Sequence, residues 1–118
     1  MPARRPDPQP TTPVPVSEFQ ILLALADEER HGYAIMREVT ERTNGDVQLG
    51  PGTLYGSIKR MVAAGLIEES DERPDPDLDD ERRRYYRITA LGRAVLSLEL
   101  ERLATIVAIA RRRQLLPA

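Results

Sequence analysis

The stretch GPGTLYGSIKRMVAAGL at residues 50–66 constrains this chain most. Turned by ~100° per residue, Leu54, Ile58, Met61 and Val62 fall within an arc of about 100°, the width of a stripe that faces a core. The spacing predicts a helix from about Thr53 to Ala64. Gly65 stops it, suiting the left-handed conformation favoured just beyond a helix end. The opposite side presents Gly52, Thr53, Gly56, Lys59, Arg60 and Ala63: small residues, a hydroxyl and two cations, with no acid. Such a face lets a helix backbone approach a polyanion closely. Turn and packing glycines on an ordinary solvated face would have the same composition, so this helix by itself leaves both readings open.

The flanking segments supply the context. Ser17 and Gln20 fit a capping box, and Val16 with Ile21 a hydrophobic staple, so order is expected to begin at Ser17. A first helix then runs from about 18 to 28 on Phe19, Leu22, Leu23 and Ala26, and the polar run DEERHG turns the chain. A second, shorter helix from Gly32 to about Thr43 places Tyr33, Met36 and Val39 near one face and breaks at Asn44–Gly45. Beyond the third helix, LIEES and RRRYYRIT enclose the acidic DERPDPDLDDE and read as a two-stranded hairpin with a long loop. Thr89 is placed to cap a last helix from about 90 to 115. On that helix Leu91, Val95, Leu98 and Ile109 point one way, and Leu96, Leu100, Leu103 and Val107 another. Six of the ten prolines lie in the first fifteen residues, a composition that predicts a disordered arm over 1–15.

The fold class predicted is therefore mainly α with a small β-hairpin. The order helix, helix, helix, hairpin, helix is that of a winged helix-turn-helix over 16–89, followed by a C-terminal helix over 90–116. Its third helix would enter the major groove of DNA. Arg60 would donate to guanine or phosphate, Lys59 would supply a point charge, and Thr53 lies where a helix N-terminus meets phosphates. Tyr55 would bond a phosphate or pack against the first helices.

A net charge of −2 argues against a nucleic-acid partner until its distribution is considered. Residues 82–93 hold five arginines and no acid, whereas 68–81 hold nine acids against the single Arg73. Segregation of this kind allows a basic contact surface on an acidic protein. No apolar run approaches the roughly 20 residues of a membrane span. There is no cysteine, so disulfides and thiolate metal sites are excluded, and the expected location is cytoplasmic. DPDLDDE lacks the glycine of a calcium loop, and the lone His31 has no second ligand for zinc; it is expected in a turn or a cap. No nucleophile–base pair stands out, so no enzyme, metal or cofactor is expected.

The segments HGYAIMREV, LGPGTLYGSIKRMVAAGLIEE and RRRYYRITALGR resemble, in order and spacing, the conserved blocks of the PadR family of transcriptional regulators. The resemblance runs from 17 to about 113. It implies a homodimer joined through the C-terminal helix, repression at a palindromic operator on double-stranded DNA, and release by a small molecule or stress signal. Carried over by position, it assigns DNA contacts to Thr53, Tyr55, Lys59 and Arg60, with wing arginines among Arg82, Arg83 and Arg84, and a supporting role on the second helix to Tyr33. It would place Leu96, Leu100, Leu103 and Val107 across a two-fold axis. Two departures stand out. The wing tip is acidic, which leaves only its arginine-rich base to face phosphate, and the chain has no tryptophan for the tryptophan-lined drug pocket of some relatives.

Overall fold

In the computed structural model, which describes residues 13–70 and 84–117, helices α1 (Val16–Leu25), α2 (Gly32–Arg42), α3 (Pro51–Ala63) and α4 (Ala90–Arg112) surround a small sheet. Its strands are β1 (Arg30–His31), β2 (Ile67–Glu69) and β3 (Tyr85–Ile88), in the order β1-β3-β2 and antiparallel throughout. The core is a single cluster from every helix and the sheet, with Ile21, Leu22, Ile35, Val39, Leu54 and Val95 among its fully enclosed members. No helix of the described residues is long and apolar enough to cross a membrane.

The start of α1 differs from expectation. The helix begins at Val16 with Pro15 in the cap position, so Ser17 is already helical and no side chain caps the end. The predicted Ser17–Gln20 capping box is therefore absent. Val16 is 66% exposed and does not staple to Ile21; Val14 is buried instead. Residues 13–15 of the predicted disordered arm thus include a core residue, while 1–12 lie outside the described residues.

Three other ends follow local chemistry closely. His31 caps α2, its Nδ1 accepting from the amide of Ala34 at 3.0 Å. Asn44 and Gly45, both at positive φ, break the chain after α2. The close of α3 is a Schellman turn: Leu66 N–H donates to the Met61 carbonyl and Gly65 N–H to that of Val62, with Gly65 at φ +78°. The helix starts at Pro51, two residues before the predicted Thr53, because proline is preset for the first helical position.

The predicted two-stranded hairpin is a three-stranded sheet. β1 lies within the run read as a plain turn and pairs Arg30 with Tyr86 and His31 with Tyr85. Two residues are too few to show alternation. Between β2 and β3 the register is Ile67 with Ile88, Glu68 with Arg87 and Glu69 with Tyr86. This hairpin is the base of the wing; its acidic tip, with Arg82 and Arg83, lies outside the described residues.

Thr89 caps α4 as expected, its Oγ1 accepting from Gly92 N–H at 3.0 Å. The helix then buries Gly92, Val95, Leu96 and Glu99 against the domain, and no later residue of it is buried. Leu96 is 5% exposed within its own chain, which corrects its assignment to a dimer face. At ~100° per residue it stands next to Val95, and both belong to the same buried cluster. Leu100 and Ile106, by contrast, are about half exposed.

Glu99 is the charged residue of this core. Its carboxylate accepts from the Val14 amide at 2.8 Å and from Arg102 Nε at 2.6 Å. The hydrogen bond from Arg102 holds its pKa below the ordinary value of 4.5, against the opposing effect of burial. A carboxylate with a lowered folded-state pKa stabilises fully above its unfolded value, and that contribution is lost as pH falls through the folded value. Glu99→Gln is accordingly expected to lower the thermal midpoint near neutral pH, with the gap from the parent narrowing below about pH 4.5. Melting curves followed by circular dichroism across that range decide it; a gap that is constant down to strongly acidic pH contradicts the assignment.

Candidate nucleic-acid interface

α3 buries Leu54, Ser57, Ile58 and Met61, a stripe at i, i+3, i+4 and i+7. Val62, predicted for that stripe, is 40% exposed on the flank that faces the wing, and Ser57 takes its place in the core. Ser57 is tolerated there because its Oγ lies 3.1 Å from that of Ser17 and accepts from Arg60 Nη2 at 3.1 Å. Hydrophobicity alone misses it, although its position on the wheel is right.

Away from the core, Gly52, Gly56 and Ala63 form a crown of small residues. A Cβ added at Gly52 would meet nothing within 4 Å, and at Gly56 only the Arg60 side chain at 3.6 Å. The crown is open to an approaching surface. One flank, toward the wing, carries Tyr55, Lys59 and Val62. An open groove of about 530 Å³ runs there, floored by Ile58 and Tyr86 and bordered by Lys59 and Arg84. Arg84 Nε is 3.5 Å from Glu69, so part of its charge is offset within the wing.

Tyr55 is half-buried and packs at the start of α2. A Cβ on Gly32 would stand 2.6 Å from its hydroxyl oxygen, so the ring lies directly on the bare Gly32 backbone. Of the two readings left open for Tyr55, the packing one describes its position. Tyr33 is exposed on α2, with Arg37 5.9 Å from its ring centre. The other flank of α3, toward α1, carries Thr53 and Arg60, both exposed. Arg60 Nε lies 3.7 Å from Glu18 on α1. Glu18 carried no signal in the local sequence, because its relevance comes from a residue 42 positions away.

The arrangement thus brings Tyr55, Gly56, Lys59 and Arg84 around one groove and leaves Thr53 and Arg60 on the opposite side of the crown. Three helices, the third presenting a small-residue crown between two cationic flanks, and a β-wing beside it define a winged helix-turn-helix protein. The sequence profile of the transcriptional regulator PadR-like family matches residues 21–98, and the chain belongs to that family. It is a transcriptional regulator and not an enzyme. Among its relatives, the transcriptional regulator Rv3488 of Mycobacterium tuberculosis is 38% identical over 79 residues, covering 67% of each chain. A PadR family transcription regulator from Clostridium difficile has the same fold at TM-score 0.68 and 25% identity, over 85% of this chain and 99% of that one. Bacillus subtilis PadR, solved in complex with operator DNA, is similar at TM-score 0.63 and 22% identity, over 73% of this chain and 47% of the other.

Proposed function

We propose that the chain is a sequence-specific DNA-binding repressor that acts as a homodimer on an inverted repeat. The observation that carries this reading is the crown of α3: Gly52, Gly56 and Ala63 leave its backbone bare, with Lys59 on one flank and Arg60 on the other. Small residues let the helix sit deep in a major groove, and the cations meet the phosphates along its edges. Thr53, in the first turn of α3, meets phosphate at the positive end of the helix dipole. Arg84 at the wing base, with Arg82 and Arg83 from the sequence, reaches the neighbouring backbone. That Bacillus subtilis PadR, of the same fold, was solved in complex with operator DNA supports DNA as the partner.

The dimer follows from α4. Beyond Glu99 it extends for more than three turns with Leu100, Leu103, Ile106 and Val107 uncovered or only partly covered by their own chain. A second copy of the same face across a two-fold axis would cover them and hold two α3 helices about 34–36 Å apart. Release by a small molecule or stress signal, and action in the cytoplasm, complete this reading on the strength of the family.

The test uses duplexes selected from a random library by the protein itself, titrated by fluorescence anisotropy. A duplex with both half-sites is expected to bind more tightly than one with a single half-site. Lys59→Ala is expected to weaken binding to all sequences alike and to reduce the salt slope by about one per half-site, as for a lost phosphate contact. An unchanged slope and affinity would remove Lys59 from the interface.

A further inference from the structure

Arg60 is engaged within the free protein. Its Nε faces Glu18 Oε1 at 3.7 Å, its Nη2 donates to the buried Ser57 Oγ at 3.1 Å, and its Nη1 passes over Gly56. The Glu18 side chain is 17% exposed whereas that of Arg60 is 65% exposed, so the acid is fixed in the fold and the cation reaches out to it from the surface. Ser57 is held in turn by Ser17, one residue before Glu18 on α1. α1 therefore faces Nε directly through Glu18, and bears on Nη2 only through Ser57, which belongs to α3 itself. Of the five N–H donors of Arg60 only one is spent, on Ser57, so what Glu18 withholds from DNA is the position and charge of the guanidinium and not its donors.

We propose that Glu18 competes with DNA for Arg60, so that binding exchanges an internal ion pair for an external one and Glu18 limits the affinity. The proposal rests on the reading that the outer side of α3 meets DNA. Its size follows from the geometry. A partly exposed pair at this distance stabilises weakly, and its exchange alters an equilibrium by about two- to fivefold per half-site. The effect is a moderation of binding, and it is specific to one arginine.

The experiment is a mutant cycle on the selected two-half-site duplex. Glu18→Gln keeps the size and place of the side chain and removes its charge; it is expected to tighten binding about two- to fivefold per half-site. Glu18→Asp keeps the charge but withdraws it by one methylene; it is expected to tighten binding as well. In an Arg60→Ala background both gains should vanish. A gain from Glu18→Gln that persists in that background means plain repulsion between Glu18 and DNA, and overturns the proposal. Weaker binding by Glu18→Gln also overturns it, by making Glu18 a support for Arg60 and not a rival. If Glu18→Gln has no effect while Arg60→Ala weakens binding, the competition fails and the interface stands. If Arg60→Ala itself has no effect, Arg60 leaves the interface and the proposal falls with it.

Discussion

Gly92→Ala is expected to lower stability by about 3 kcal/mol or more, the upper end of overpacking costs. A Cβ at this position would stand 2.1 Å from the Leu66 carbonyl oxygen and 3.0 Å from its carbon, with Ile88 Cγ1 at 2.8 Å. The side chain of Ile88 could turn aside. The carbonyl cannot, because Leu66 closes the Schellman turn of α3 and its oxygen accepts from both the amide and the hydroxyl of Thr89. Relief requires α4 to back away from the wing base. For a domain of this size the loss corresponds to a fall of about 12 °C or more in the thermal midpoint. Gly52→Ala is the control: nothing lies within 4 Å, and a helix gains about 0.5–1 kcal/mol from alanine. Differential scanning calorimetry of the two variants checks both. A Gly92→Ala protein that melts with the parent would show that α4 does not bear on the wing as described.

Replacing Leu100 and Ile106 together by aspartate is expected to produce a folded monomer whose affinity for the two-half-site duplex falls by about 100-fold or more, toward that of one half-site. Both side chains are nearly half exposed in the single chain, so the charges disturb its own core little. Across a two-fold axis the same charges would face one another in an apolar setting, where unpaired acids are costly. Light scattering and anisotropy should change together. A dimer that survives the substitutions would place the interface elsewhere.

The parts of this fold legible in the sequence are those fixed within a few residues. Gly65 beyond α3, Thr89 before α4 and His31 before α2 act on amides or carbonyls of their own turn, and their chemistry is visible in the residue types. Leu54, Ile58 and Met61 were legible for the same reason of period. What was not legible depends on partners far along the chain. Strand β1 exists because β3 passes beside it. Ser57 and Val62 exchange places because a second serine meets the one and a groove opens at the other. A wheel shows that two sides of α4 are apolar without showing how far around it the domain core reaches, and Leu96 is inside that reach.

The same distinction applies to the interface. The crown of α3 could be read from composition, and so could the cations on its flanks. That Tyr55 lies on Gly32 and that Arg60 leans on Glu18 could not, since each needs a neighbour from another helix.

The contact between Val14 and Glu99 bears on where the folding unit can be cut. Helix boundaries suggest trimming at Val16, yet that cut would delete a core side chain and the amide that serves a buried carboxylate. A boundary at or ahead of Pro13 keeps both the side chain and the amide.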